Sequence, residues 1–115
     1  MEEGSLPSTS VATGPRRRPA PDPLLRVLAE PLRARIVALL ADEDLCVCHL
    51  TEELGVAQTL VSHHLRVLRD ADVVDTERHR YWTYYRLRPE ALRPLADHLA
   101  VLARRRPTRR RRPCG

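Results

Sequence analysis

Apolar positions recur along this chain with two different periods, and the change of period marks its organisation. Leu24, Leu25 and Leu28 mark one face of a short helix that Asp22 can cap. Pro31 opens a second helix, in which Leu32, Ile36, Leu39 and Leu40 recur at a spacing of about 3.6 residues. The acidic stretch Asp42, Glu43, Asp44 ends it. Leu45, Cys46, Val47 and Cys48 read either as a short strand or as the lead-in to a third helix, with Leu50 and Leu54 inward. Gly55 closes that helix where a left-handed residue is wanted. A fourth helix follows at once from Gln58 to Arg69, with Val61, Leu65 and Leu68 as its apolar stripe. Two short helices joined by a tight glycine-containing turn predict a helix-turn-helix.

Beyond that point strong β-formers take over. Val73, Val74 and Thr76 to Arg78 precede a turn near His79 and Arg80, and a run from Tyr81 to Leu87 follows. Such a pattern predicts a two-stranded hairpin, and a hairpin after a helix-turn-helix is a wing. All the aromatic residues lie there (Tyr81, Trp82, Tyr84 and Tyr85), and they are expected to pack the wing onto the domain. The last helix starts at Pro89 and Glu90 and carries Leu92, Leu95, Leu99 and Leu102, the seam of a helix that pairs with another. Pro94 either bends it or marks its true first turn. The predicted fold is mainly α with a small β-hairpin, a winged helix-turn-helix over residues 23–103 that dimerises through its terminal helices. Residues 1–22, rich in Pro, Ser, Thr and Arg, are expected to form a disordered arm, and residues 104–115 a disordered Arg-rich tail.

A length of 115 residues bounds the chain to one such domain and excludes the large enzyme architectures. The longest apolar run, Ile36 to Ala41, is far short of the roughly 20 residues that cross a bilayer. The first residues lack the basic start and apolar stretch of a secretory signal. A cytoplasmic protein with reduced cysteines and no membrane partner is the expectation. The net charge is +5, but its placement matters more than its size. Residues 104–115 hold seven arginines and no acid, residues 1–25 balance three against three, and residues 26–103 hold ten arginines against twelve acids. Basicity is therefore a property of the tail. Every basic residue is arginine, a fact that reflects genome composition as much as function.

Three blocks carry a resemblance. Asp44-Leu-Cys-Val-Cys-His-Leu50 is followed by Leu54-Gly-Val56 and Leu60-Val-Ser-His-His-Leu-Arg-Val-Leu68, and then by Trp82-Thr-Tyr-Tyr-Arg-Leu87. In this order and spacing they resemble the ArsR/SmtB family of bacterial metal-responsive transcription regulators, over about residues 24 to 103. The resemblance implies a homodimeric winged helix-turn-helix that binds operator double-stranded DNA and whose grip a bound metal ion weakens. It departs from the family at two places. Arsenite-sensing members place three thiolates on one short helix, and Thr51 stands at the third position here. Another family site spans the last helices of the dimer, with an acid and a histidine near the start of each, and that pattern is absent from Pro89-Glu90-Ala91.

With Val61, Leu65 and Leu68 buried, Gln58, Thr59, Ser62, His63 and Arg66 face outward, mostly in the N-terminal half that meets base edges in a recognition helix. Gln58 can grip adenine, Thr59 and Ser62 can reach phosphates or bases, and Arg66 a guanine or a phosphate. His64 lies nearer the buried stripe and reads as a packing or hydrogen-bonded histidine. Arg78 and Arg80 at the hairpin tip suit flanking phosphates or a narrow minor groove. The arginine runs at 16–18 and 104–112 add salt-dependent, non-specific affinity where they touch DNA.

Cys46 and Cys48 share a face on an extended chain, whereas on a regular helix they diverge by about 200°. With His49 they form a partial sulfur, sulfur, nitrogen set, to which Cys114, a residue of the other subunit or water can add a fourth ligand. A second candidate site pairs Asp97 and His98 across the dimer seam, with Glu90. Mixed ligation favours a divalent ion, nickel or zinc first, with cadmium or arsenite as further candidates. The alternative is a metal-independent regulator controlled by thiol oxidation or a protein partner. No base is identifiable from the sequence as paired with either cysteine, and the chain is too small for a deep substrate pocket, so an enzyme is not expected.

Overall fold

The structure, a computed structural model, describes residues 21–114; the expected N-terminal arm therefore falls almost wholly outside the described residues. Helix α1 (Pro21–Ala29) buries Leu24, and Asp22 lies inside its first turn rather than before it. There a carboxylate still complements the partial positive charge of the helix start. Helix α2 (Pro31–Asp42) begins where Glu30 Oε1 accepts the backbone N–H of Arg33 at 3.0 Å, with Pro31 in the first turn. It buries Ile36 and Leu40.

The Leu45–Val47 stretch is both of the things its sequence allowed. Leu45 and Cys46 form a two-residue strand, β1, and helix α3 (Val47–Leu54) starts at the next residue. Gly55 ends α3 with φ 67°, and its N–H donates to the Thr51 carbonyl at 2.9 Å. Helix α4 (Gln58–Asp70) follows, with Val61, His64, Leu65 and Leu68 buried. Helices α3 and α4 pack directly on each other as the two arms of the helix-turn-helix.

Strands β2 (Val74–His79) and β3 (Trp82–Leu87) form the wing, in register from Val74 opposite Leu87 to His79 opposite Trp82. The turn is thus Arg80 and Tyr81, one residue later than the sequence pattern suggested. Arg80 occupies it at φ 60°, a conformation for which glycine or asparagine is the usual signal. The sheet has three strands rather than two, because β1 pairs antiparallel with β3 and gives the order β1-β3-β2. The aromatic residues divide. Tyr85 packs against the core and Tyr84 is half-buried, whereas Tyr81 and Trp82 are 88% and 56% exposed and do not hold the wing to the domain.

A 3-10 turn (Pro89–Leu92) precedes helix α5 (Arg93–Arg104), so Pro94 lies in the true first turn of that helix instead of bending it. One core of Leu24, Ile36, Leu40, Leu45, Leu50, Leu54, Val61, Leu65, Leu68, Val73, Val74 and Leu95 joins all of these elements. Helix α5 packs on α1, yet Leu25, Leu99, Val101 and Leu102 remain exposed in the single chain. Residues 105–114 have no regular secondary structure and are exposed throughout. Among the described residues no helix is long and apolar enough to cross a membrane.

A side chain built at Gly55 meets nothing within 4 Å, so substitution there isolates the backbone cost of a left-handed residue. Gly55→Ala is expected to lower stability by about 1 kcal/mol. Urea unfolding checks this: the midpoint falls with an unchanged slope, and Gly55→Asn loses less.

Candidate metal centre and nucleic-acid interface

Cys46 holds two structural jobs at once. It is the last residue of β1, paired with Tyr84, and it is the N-cap of α3 with extended dihedrals (φ −89°, ψ 171°). The backbone then turns into helix, which carries Cys48 in the first turn back over Cys46. The two sulfurs lie 2.6 Å apart, and His49 Nδ1 lies 3.2 Å from Cys46 Sγ while accepting the Cys46 N–H at 3.3 Å. Neither a strand nor a regular helix alone achieves this; the junction between them does. Among the described residues, Cys46, Cys48 and His49 are the one group of three or more such side chains whose ligand atoms converge, all within 4.8 Å.

The chemistry of the pair is unequal. Burial opposes ionisation of Cys46, but the Cys48 thiol and the backbone N–H groups of His49 and Cys48 outweigh it and hold Cys46 below the ordinary thiol value. The hydrogen bond to Cys46, reinforced by burial and by the adjacent negative charge, pushes Cys48 up. Cys46 therefore ionises more readily than Cys48, at the N-terminus of α3 where a thiolate is favoured. Two thiolates and an imidazole on this geometry fit a soft or borderline ion. Asp42, Glu43, Asp44, Glu52 and Glu53 line the groove that His49 and Tyr84 share, so the approach to the centre is strongly negative. Thr51, at the position of a third thiolate by resemblance, has a buried hydroxyl with no hydrogen-bond partner.

The other candidate ligands lie elsewhere. Glu90 sits in the 3-10 turn, where its carboxylate is 3.3 Å from Arg88 Nε, while Asp97 and His98 are exposed on α5. Within one chain these three do not form a converging group, and the exposed Cys114 does not join the cysteine cluster.

On α4 the buried stripe turns Gln58, Thr59, Ser62, His63 and Arg66 outward, and the five line one open groove. Arg78 and Arg80 are exposed at the wing tip, where Arg78 Nε donates to the Arg80 carbonyl at 3.3 Å. These side chains offer amide, hydroxyl, imidazole and guanidinium groups to a neighbouring surface, and none is committed to the core.

Sequence reasoning placed His64 correctly in the interior but missed its partner. Arg33 on α2 donates from Nη1 to His64 Nδ1 at 3.0 Å and from Nε to the Val27 carbonyl at 2.7 Å. Glu30 Oε1 lies 3.8 Å from His64 Nε2. Since guanidinium only donates, Nδ1 accepts, and the proton of the neutral ring sits on Nε2 facing Glu30. Burial is the main cause holding His64 below the ordinary imidazole value; Glu30 opposes it, and Arg33 and His63 add to it. This network ties α1 and α2 to the back of α4. Thirty-one positions separate Arg33 from His64, and no local pattern connects them.

Residues 30–76 match the bacterial regulatory proteins of the arsR family. The arsenic resistance transcriptional regulator ArsR1 of Pseudomonas putida is 44% identical over 71 residues, which cover 61% of this chain and 56% of that protein. The chain thus spans little more than half the length of that curated relative. A crystal structure described as a possible transcriptional regulator for arsenical resistance is 35% identical, with a TM-score of 0.62, covering 68% of this chain and 81% of the other. The homodimeric winged helix-turn-helix DNA-binding domain of a possible ArsR-family regulator from Mycobacterium bovis is 26% identical. Its TM-score is 0.59, with 70% of this chain and 76% of that one covered.

The depressed His64 has a consequence for folding. The unfolded state takes up the proton first as pH falls through about 6.5, so stability is greatest above that pH and declines below it. Urea midpoints between about pH 7.5 and about pH 5.5, a range above the ordinary carboxylate values, are expected to fall with acidification for the native chain. His64→Gln flattens the dependence.

Proposed function

The chain belongs to the arsR family of bacterial regulatory proteins, and on that premise we propose that it is a homodimeric transcription regulator of operator DNA, controlled by a thiophilic ion held at Cys46, Cys48 and His49. The observation that carries this reading is the convergence of those three ligand atoms at the first turn of α3, the helix that packs on α4. In the same domain, α4 turns Gln58, Thr59, Ser62, His63 and Arg66 to a common face. In this reading they meet the major groove while Arg78 and Arg80 meet the flanking backbone or minor groove. In this reading the protein acts on operator DNA in the cytoplasm, as a regulator rather than an enzyme.

Dimerisation follows from what the single chain leaves uncovered. Leu25 of α1 and, on one face of α5, Leu99 and Leu102 are exposed although these two helices pack together. A second copy across this face removes them from water and enlarges a thin core. That the Mycobacterium bovis relative is homodimeric supports a second copy.

The donor set bears on the ion. A preference for nickel draws on nitrogen and oxygen ligands such as Asp97, His98 and Glu90. The set that converges is rich in sulfur and favours zinc, cadmium or arsenite. The name of the Pseudomonas putida relative supports arsenite, while the single imidazole and the need for a fourth ligand support zinc or cadmium. The residues that would hold the ion also fix where α3 begins, so the occupied and free centres differ in how α3 sets α4. Separation of the two recognition helices from the spacing of about 34 Å between successive major grooves is the expected result. A second reading rests on the 2.6 Å approach of the two sulfurs, which suits thiol oxidation as the signal in place of metal.

Titration of the reduced, metal-free protein with zinc, cadmium, arsenite and nickel, read by thiolate absorption, heat and release of operator DNA, tests the proposal. Cys46→Ser/Cys48→Ser is expected to lose tight binding, and Asp97→Ala/His98→Ala to retain it. Saturation of the native centre is expected to weaken operator binding about 5- to 150-fold. Loss of binding only in the Asp97 and His98 variant overturns the assignment and moves the site to α5. Release of DNA by oxidant, with no effect of any ion or chelator, selects the redox reading.

A further inference from the structure

We propose that the arginine segment after α5 is a second DNA-binding element, which supplies most of the electrostatic attraction to the duplex that the folded domain lacks; this rests on the DNA-binding reading above. The argument starts from charge. DNA carries about one negative charge per 1.7 Å of its axis, and the neutralisation of phosphates by cations dominates affinity for it. Residues 26–103, which hold the recognition helix and the wing, contain ten arginines and twelve acids. Part of that small positive complement is already engaged inside the domain. Arg33 is tied to His64 and Val27, Arg86 pairs with Glu77, and Arg88 lies within 3.6 Å of Asp75 and Glu90. A domain so balanced has base-reading groups but a weak overall pull on a polyanion.

The segment has the opposite character. Arg104, Arg105, Arg106, Arg109, Arg110, Arg111 and Arg112 occur with no acid among them, and residues 104–114 are all exposed. No regular structure follows Arg104, so the backbone is open to follow a surface. Pro107 and Pro113 disfavour helix and keep the segment extended. Ten extended residues reach about 33 Å, roughly one turn of B-DNA. Guanidinium groups spaced along such a strand match phosphate oxygens two at a time. An anionic membrane offers the same phosphates, but apart from Pro107, Pro113 and Cys114 the segment has no apolar side chain to bury in a bilayer, and no aromatic. The same chain presents a helix-turn-helix, so the duplex is the favoured partner.

The test is the salt dependence of binding by the full chain to a 30-base-pair duplex of mixed sequence, measured by fluorescence anisotropy from about 50 to about 300 mM salt. The comparison is a variant with Arg105, Arg106, Arg109, Arg110, Arg111 and Arg112 all replaced by Gln, which leaves α5 intact. If all six meet phosphates, the slope of log affinity against log salt shrinks by about 5 per chain, and affinity at low salt falls at least tenfold. An unchanged slope and affinity in a variant whose native parent binds the duplex overturns the proposal and leaves the α4 and wing reading standing. If the native chain binds no duplex at any salt, the DNA-binding reading fails and the proposal with it. Tighter binding of the native chain to vesicles rich in phosphatidylserine than to the duplex at equal salt also overturns it, in favour of a membrane surface.

Discussion

The pairing of Leu45 with Tyr85 and Cys46 with Tyr84 is the constraint on which the rest of this structure depends. Two residues of strand are little in themselves, but they fix the wing to the helix-turn-helix and define where α3 begins. Because Cys46 must stay extended to pair with β3, helix begins only at Val47, and the first turn then brings Cys48 and His49 back to it. Had the helix begun a turn earlier, the thiols would point about 200° apart. The same pairing buries Leu45 in the core and half-buries Tyr84 beside His49. The cysteine junction and the wing therefore share one strand pair, joined by packed, hydrogen-bonded structure.

Charge is distributed to match the proposed roles. Acids gather around the cysteine junction, where they raise the local concentration of cations. The outward face of α4 is polar and nearly neutral, suited to reading rather than to indiscriminate attraction. The strongest positive field lies outside the folded domain, after α5. Between these regions runs the part-buried link of Glu30, Arg33 and His64, which joins α1 and α2 to the back of α4. On the proposed reading, binding free energy and base recognition fall to different parts of the chain.

Much of this was legible in the sequence, and the exceptions have physical causes. Helical stripes such as Val61, Leu65 and Leu68 are read directly from their period, and Gly55 announces its left-handed cap. A two-residue strand has no period, so β1 was legible only as an ambiguity. The hairpin turn falls one residue late because Arg80 takes the positive φ, where nothing in the sequence marks it. Strand alternation explains the aromatic residues: Tyr85 and Leu87 point inward, which sends Trp82 to the opposite face and Tyr81 into the turn. Composition grouped the four aromatics as one cluster, but the pleat separates them. In the site, sequence supplied Cys46, Cys48 and His49 as candidates; their convergence required the junction. Arg33 carried no signal at all, since a long-range polar contact leaves no periodic trace.

X-ray absorption at the zinc edge of the zinc-loaded, reduced protein tests the central claim most directly. The account predicts two sulfur neighbours at about 2.3 Å and an imidazole nitrogen at about 2.0 to 2.1 Å, with both sulfurs lost in Cys46→Ser/Cys48→Ser. A first shell of nitrogen and oxygen alone contradicts it, because the ion then ignores the one junction that the fold has built from its thiols.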